Sequence, residues 1–290
     1  MNREHPVKTA FRKLFKNKLA TICFIILFAE LVLIIFADKF TDCDPNLSNV
    51  TLRLTPGFWA KDNPKYDPVH WLGTDELGRD VWARLLYGGR VSLSVGFTAT
   101  LIGLIFGTFF GMLAGYYKKL DNIIMRFMDI LFTFPGILLA LLIVAMLGVS
   151  VRNATLAISI WAIPSFARMV RSRVIQIKEE EYITAIRSLG AGDLWIQFRH
   201  ILINALPTII VIATMRIAGS ILSIATLSYL GVGVPVPQAE WGGMIASAKT
   251  QMYNAPYLIV IPGIVIVITV ICFNILGDKL RDILDPNLKD

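Results

Sequence analysis

Charged residues and cysteines are both scarce in this sequence. Only 17% of its 290 residues are charged, whereas 55% belong to the hydrophobic set; a typical soluble domain is about 25% charged and 45–50% apolar. This balance excludes a disordered chain and disfavours a water-soluble enzyme. Three cysteines are too few for a disulfide scaffold. Cys23 and Cys272 fall in apolar runs, which leaves Cys43 in a polar loop without an obvious partner.

Signatures of nucleotide binding and catalysis are also missing. No GxxxxGK[ST] phosphate loop occurs, so the chain cannot bind ATP in the P-loop manner. The three histidines, His5, His70 and His200, are far apart in sequence, and no zinc-binding pair or nucleophile elbow is present. We therefore predict a chain without catalytic residues, without a metal site and without a cofactor of its own.

Long apolar runs are what the sequence has instead. A bilayer core about 30 Å thick requires roughly 20 apolar residues in a helix. We predict an all-α membrane protein with six transmembrane helices, at residues 19–37, 91–116, 130–147, 154–170, 206–230 and 256–276. The fourth is the weakest, because it is short and contains Pro164. The net charge of +7 lies mostly beside these runs, which is typical of membrane flanks rather than of nucleic-acid binding.

The distribution of basic residues predicts the orientation. The first run is longer than the apolar region of a signal peptide and no small-residue cleavage site follows it, so we expect a retained span. With the N-terminus inside, inner segments hold twice as many Lys and Arg residues as outer segments. Both termini are then cytoplasmic. Residues 1–90 comprise a basic leader, the first span and a long outer loop; residues 91–290 comprise a five-helix core with an inner loop at about 171–205.

The outer loop changes character along its length. Its first part, from residue 38, is rich in Pro, Asn and Asp, which are turn formers. Residues 81–87 mix aromatic, aliphatic and Arg side chains, and this pattern predicts a short helix at the membrane interface. Such a helix could be a lead-in to the second span or a docking element for a partner, and the sequence does not separate the two.

The inner loop has the pattern of a helix–turn–helix elbow. Residues 179–181 are three glutamates, which suit the first turn of a helix. An apolar stripe follows at three-residue spacing, at Ile183, Ile186 and Leu189. Glycine at 190 predicts the end of this helix, and Asp193 is the predicted N-cap of a second short helix running to Ile201. We interpret the elbow as a rigid contact element on the inner membrane face.

Two charges fall at membrane depth, at Glu30 and Arg216. Arg216 lies about 15 Å inside the start of its span, too deep to reach the interface easily. It could face an aqueous pathway and meet a substrate carboxylate, or it could bond inside the helix bundle; both interpretations remain open. For Glu30 we favour an internal partner. The glycines at four-residue spacing, Gly103 to Gly115, predict a packing strip rather than a site.

The elbow resembles the "EAA loop" of ATP-binding-cassette (ABC) importer permeases. Ala185, Gly190 and Leu202 fall at the motif's spacing, whereas Thr184, Ile186 and Ile203 replace its Glu, second Ala and Pro. Further blocks look like the peptide and nickel branch of that family, in the same order along the chain: residues 73–80, 84–88, 134–136, 198–202, 227–233 and 240–242. Together they resemble the C-type permease of dipeptide and oligopeptide importers.

The resemblance implies a type I importer permease fold. It also implies that transport and ATP hydrolysis are carried out by different subunits. Peptide would cross by alternating access, between this chain and a homologous second permease, after delivery by an external binding protein. One or two cytoplasmic ATPase subunits would use ATP and Mg²⁺ and dock on the elbow, all in the cell membrane of a prokaryote. The implied ATPase-coupling residues are Glu181, Thr184, Ala185, Ile186, Arg187, Ser188, Leu189, Gly190, Ala191 and Asp193.

Two alternatives to peptide import remain. The same branch of the family also carries nickel or metal chelates, although we find no His or Cys cluster on the predicted pathway. The chain could instead be a membrane-anchored sensor or scaffold, but six spans and an ordered elbow are more than such an anchor requires. Co-purification of an ATPase distinguishes a transporter from a scaffold.

Overall fold

A computed structural model describes residues 15–284 of the chain. This part consists of helices joined by turns, with an isolated antiparallel bridge between Thr74 and Asp80. The all-α prediction is thus confirmed. Most of the predicted basic leader lies outside the described residues.

We number the helices in chain order. The first half holds α1 (Lys18–Ile35), α2 (Ala37–Phe40), α3 (Val81–Tyr116), α4 (Lys118–Thr133) and α5 (Gly136–Leu147). The second half holds α6 (Val151–Lys178), α7 (Glu181–Ser188), α8 (Asp193–Ile196), α9 (Leu202–Tyr229), α10 (Trp241–Ser247) and α11 (Tyr257–Leu284). Short 3-10 turns lie at Val50–Leu52, Phe58–Ala60, Pro68–His70 and Ala248–Gln251, and a π-helical turn at Gln197–Ile201.

Four helices of the described chain are long and apolar enough to cross a membrane: α1, α3, the continuous helix Asp193–Tyr229, and α11. A fifth span results if α4 and α5 count as one broken span. The predicted fourth span falls in α6, whose 28 residues reach about 42 Å at 1.5 Å per residue. This helix is less apolar than the others because its second half carries Arg168, Arg171 and Arg173. The predicted count of six spans is therefore not confirmed.

The third predicted span, residues 130–147, is not one continuous helix. The chain bends by 87° between α4 and α5. Pro135 causes the break, because the residue before a proline is pushed out of the helical region, and Phe134 is accordingly extended (φ −84°, ψ 130°). Gly136 then lies directly against the indole ring of Trp161, where a Cβ would not fit.

Helix α3 begins at Val81, not at 91 as predicted for the second span. Asp80 caps it: its Oδ1 accepts a hydrogen bond from the backbone N–H of Ala83 (2.6 Å). Residues 81–87 are therefore the first turns of the span helix and not a separate interfacial helix. This continuity favours the lead-in interpretation over partner docking.

The glycine strip of α3 packs against α6, its most extensive neighbour. A Cβ built on Gly103 would lie 2.7 Å from the Cβ of Ala162, and one on Gly115 would lie 2.7 Å from the Cβ of Val174. Because real Cβ contacts are longer, only glycine permits this approach. The predicted role of the strip in packing agrees with this geometry.

Buried polar contacts join α10 to α3, and a further polar contact joins α11 to α1. Glu240 caps α10 and accepts a hydrogen bond from Ser92 Oγ of α3 (2.9 Å). The neighbouring Trp241 donates from Nε1 to the backbone oxygen of Leu85 (2.9 Å). At the edge of the bundle, Thr269 of α11 donates to Glu30 of α1 (2.6 Å). Glu30 thus has the internal partner that we expected for it.

Gly111→Ala tests the close packing of α3 and α6. The added Cβ would lie 2.6 Å from the backbone oxygen of Ala167, and overpacking of this kind costs about 1–3 kcal/mol. We expect a lower midpoint of thermal unfolding in detergent. The matched control is Gly263→Ala in α11, where nothing lies within 4 Å of the added Cβ. Equal midpoints for the two variants would contradict this account of the strip.

Candidate coupling surface and pathway residue

Helix α7 forms the first arm of the elbow, from Glu181 to Ser188. Of the three glutamates that we placed in its first turn, only Glu181 is there; Glu180 is the N-cap residue and Glu179 ends α6. The prediction was wrong for those two because α6 continues to Lys178 and occupies the chain up to the elbow. Glu181 alone supplies negative charge where the helix dipole favours it.

Gly190 ends α7, as predicted. Its φ of +87° lies in the left-handed region that favours glycine. The backbone N–H of Gly190 donates to the carbonyl of Arg187 (3.0 Å), and that of Ala191 donates to the carbonyl of Ile186 (3.3 Å). This pair of bonds is a Schellman motif, which satisfies the last carbonyls of the helix and fixes the turn.

The second arm differs from the prediction. Gly192 occupies the N-cap position, and Asp193 is the first residue of α8. The chain then runs through the π-helical turn into α9, so that Asp193–Tyr229 is one continuous helix. The separate short helix that we expected is therefore the N-terminal extension of the fifth predicted span. This span is therefore joined directly to the elbow. Because a continuous helix is stiff, a movement of the elbow would be passed to the span.

Tyr116, the last residue of α3, fixes the elbow to the core. Its hydroxyl donates to the carboxylate of Asp193 and accepts from Nη2 of Arg187 (3.1 Å). Its backbone oxygen accepts from Nζ of Lys178 (2.6 Å). Three helices of the inner loop are thus bonded to one residue. Sequence reasoning missed Tyr116; the available signal was a Tyr pair directly after the glycine strip.

The inward face of the elbow is a small apolar core. Ile183, Ile196 and Ile201 are completely buried. They pack with Val170 and Val174 of α6 in one cluster. Burial of three isoleucines contributes several kcal/mol at about 1.5–3 kcal/mol each, so the elbow is a rigid part of the fold.

The outward face of the elbow is exposed and apolar. Leu189 is 87% exposed and Leu194 is 67% exposed. Trp195 and Phe198 are exposed beside them in sequence. We call these four side chains the coupling patch. Exposed apolar side chains that cluster in this way mark interaction sites.

The predicted coupling residues include Leu189 of this patch, and the others precede or lie between its members in sequence. Most of them are exposed: Glu181, Thr184, Ala185, Arg187, Ser188, Leu189, Gly190 and Asp193. Ile186 and Ala191 are partly buried and pack on the apolar core beneath the elbow. The exposed residues of the motif are therefore available to a partner, whereas Ile186 and Ala191 hold the elbow against its apolar core.

A cavity of about 900 Å³ opens beside the elbow, between α6, α9 and the end of α11. Its polar lining includes Arg173, Arg281 and Tyr182. Burial raises the pKa of Tyr182, and its phenol oxygen accepts a hydrogen bond from Nδ2 of Asn204 (3.0 Å). Glu180 lines the cavity as well, so its charged lining consists of two arginines and one glutamate.

Arg216 of α9 is half-buried against α6. Its Nη2 donates to Oγ of Ser165, and the guanidinium lies over the ring of Trp161, 5.6 Å from the centroid. No ion pair joins Arg216 to a carboxylate within residues 15–284. The contact inside the helix bundle that we considered for Arg216 is thus present. It uses one of the five N–H donors of the arginine side chain. A role in a pathway remains a prediction.

The fold is that of a transport permease. A solved inward-facing structure of the MetNI methionine ABC transporter matches with a TM-score of 0.59 and 22% identity, over 70% of this chain and 97% of that chain. A second crystal form of the same transporter gives a TM-score of 0.56 at 21% identity, over 69% of this chain and 95% of the other. These similarities establish the type I importer permease architecture.

Comparisons of sequence identify the family. Residues 103–290 match the family described as binding-protein-dependent transport system inner membrane component, and residues 5–56 match the N-terminal TM domain of oligopeptide transport permease C. The chain therefore belongs to the binding-protein-dependent inner membrane components, the permeases of ABC importers. The resemblance inferred from the sequence motifs is confirmed.

Two curated relatives are similar over most of their length. The dipeptide transport system permease protein DppC of Alkalihalophilus pseudofirmus is 44% identical over 98% of this chain and 91% of its own. The glutathione transport system permease protein GsiD of Pectobacterium atrosepticum is 44% identical over 83% of this chain and 85% of its own.

Tyr116→Phe tests the attachment of the elbow. The variant loses the hydrogen bonds to Asp193 and Arg187, and bonds to charged groups contribute about 1.5–3 kcal/mol each. We expect faster hydrogen exchange at residues 181–193 with little change elsewhere. Tyr253→Phe, at a side chain that is 91% exposed, is the matched control. Unchanged exchange in the Tyr116 variant would show that the apolar core alone holds the elbow.

Proposed function

We propose that this chain is the permease subunit of an ATP-driven importer for short peptides. The observation that carries the cargo assignment is its near full-length similarity to a dipeptide permease, with a glutathione permease similar over a slightly shorter span. Both named cargoes are small peptides. The chain itself supplies the path and not the energy, in keeping with the lack of a P-loop in its sequence.

The proposed topology has six crossings, with both termini in the cytoplasm of a prokaryotic cell. In addition to the four apolar helices, α6 crosses once, and α4 and α5 together provide the remaining crossing. The length of α6 supports its assignment. Lys118 and Lys119 at the start of α4 and Arg187 on the elbow fall on the same side of the membrane in this topology, as the positive-inside rule requires.

Cytoplasmic ATPase subunits, using ATP and Mg²⁺, dock on the coupling patch in this proposal. The patch is apolar and exposed, while the residues beneath it are rigidly packed. A displacement of the elbow therefore moves two elements together: α3 through Tyr116, and α9 through the continuous helix. In this proposal the elbow, α3 and α9 together form the two-state element that alternating access requires.

The remaining partners follow from the same scheme. A homologous permease subunit completes the pathway, and an external binding protein delivers the peptide. We place Arg216 on the pathway, where its guanidinium would pair with the carboxylate of a peptide. Its position on α9 supports this assignment, because α9 is the span joined directly to the elbow.

Leu189→Asp tests the docking of the ATPase. Since Leu189 is 87% exposed, the substitution should leave the fold intact while placing an unpaired charge in an apolar interface. We expect at least a tenfold loss of co-purified ATPase when all subunits are co-expressed. Leu47→Asp, at an outer-loop side chain that is 69% exposed, should retain the full complex. Retention of the ATPase by the Leu189 variant would contradict docking on the coupling patch.

Two substitutions separate the alternatives for Arg216. Arg216→Gln removes the charge, whereas Ser165→Ala removes only its internal hydrogen-bond partner. If Arg216 binds peptide, uptake by intact cells should fall at least about tenfold in the first variant and remain near normal in the second. Equal losses of uptake and of thermal stability in both variants would assign Arg216 to bundle structure. Normal uptake by Arg216→Gln would eliminate the pathway role.

A further inference from the structure

Three segments of the outer loop meet at the start of α3. Cys43 lies just after α2, His70 ends the 3-10 turn Pro68–His70, and Asp80 is the N-cap residue of α3. One ligand atom from each of these three residues lies within 4.8 Å of the others. The sequence gives no indication of this grouping, because the three residues are far apart in the chain and the histidines share no spacing pattern.

The positions of these side chains are fixed by their neighbours. Asp80 uses Oδ1 to cap α3, which leaves Oδ2 directed at Nδ1 of His70, 2.8 Å away. The His70 backbone N–H in turn bonds the carbonyl of Asp67 (3.0 Å). The group is therefore arranged before any ligand binds.

The segment that carries Cys43 is held against α3 on both sides of the cysteine. Nε1 of Trp82 donates to the backbone oxygen of Phe40 (3.1 Å), and Nη1 of Arg84 donates to the backbone oxygen of Pro45 (2.9 Å). Cys43 is accordingly kept next to His70 and Asp80 by contacts that do not involve its own sulfur.

The environment of the group is sheltered and negatively charged. The side chains of His70 and Asp80 are only 12% and 3% exposed, and Cys43 is partly buried. The carboxylates of Asp80, Asp42 and Asp67 all lie close enough to Cys43 to act on it electrostatically. Negative charge around a sheltered group favours a cation.

We propose that Cys43, His70 and Asp80 form a binding site for a divalent transition metal, and that zinc fits it best. Sulfur, imidazole nitrogen and carboxylate oxygen are the three ligand types that proteins offer to zinc. The soft sulfur argues against calcium and magnesium, which prefer all-oxygen sites. Three protein ligands leave the fourth tetrahedral position to water.

The bound metal would join the three segments of the outer loop at the start of a span. On binding, the metal takes the place of the thiol proton of Cys43, which is released to solvent. It also takes the place of the proton that His70 Nδ1 shares with Asp80 Oδ2, and this proton moves to Nε2 of the neutral imidazole. In the proposed topology the site faces the external medium, from which the metal would come. Metal binding by the purified chain depends neither on that topology nor on the proposed peptide transport.

Zinc titration of the purified full chain tests the proposal. The protein, in detergent and with any affinity tag removed, is first treated with a chelator and then titrated with Zn²⁺ against a chromophoric competitor. We expect one zinc per chain in the wild type. Affinity should fall at least about tenfold in Cys43→Ala and in His70→Ala, since even the loss of an outer-shell partner costs 10–100-fold.

Cys23→Ala is the matched control, because this cysteine is buried in α1 away from the outer loop; it should bind zinc like the wild type. Equal zinc affinity in wild type and Cys43→Ala would overturn the proposal. If Cys43→Ala is not obtained folded, Cys43→Ser serves in its place. Co²⁺ gives an independent measurement: a thiolate-to-metal charge-transfer absorption in the wild type that is lost on substitution of Cys43. Its absence from the wild type would exclude ligation by the thiolate.

Discussion

Close packing of α3 on α6 is the constraint on which the rest of the structure depends. The glycines of α3 let the backbones of these two helices approach within a distance that no side chain permits. The end of this contact places Tyr116 beside Lys178, Arg187 and the inner loop. The beginning of α3, at Asp80, positions the outer loop. One helix pair thus sets the geometry on both sides of the bundle.

The inner elbow combines rigidity with accessibility. Its buried isoleucines and the Schellman turn at Gly190 fix its shape, while Leu189 and Leu194 are exposed. The proposed coupling role needs both properties, because a flexible element would absorb a displacement imposed by the ATPase. The π-helical turn at Gln197–Ile201 lies where the elbow becomes the span helix. Such turns are frequent at functional sites.

Several features were predictable because they depend on neighbouring residues. The end of α7 at Gly190 and the length of the apolar spans follow from local preferences and from bilayer thickness. The bend at Pro135 was missed, although proline is a local signal, because the apolar pattern continues across it. The short second arm was predicted wrongly since nothing local distinguishes a separate helix from the extension of a span. The partly buried hydrogen-bond partner of Arg216 could not be predicted, as Ser165 is on another helix.

The sequence by itself determined the class of protein, the apolar helices, the motifs of the family and the place of the elbow. These depend on composition and on short spacings, which the chain order contains directly. Only the tertiary structure decided that Tyr116 holds the elbow, that α9 is continuous with it, and that Cys43 lies beside His70 and Asp80. The contacts of Tyr116 and of Cys43 join residues that are distant in the chain, and only helix packing together with the loop hydrogen bonds determines which of them meet.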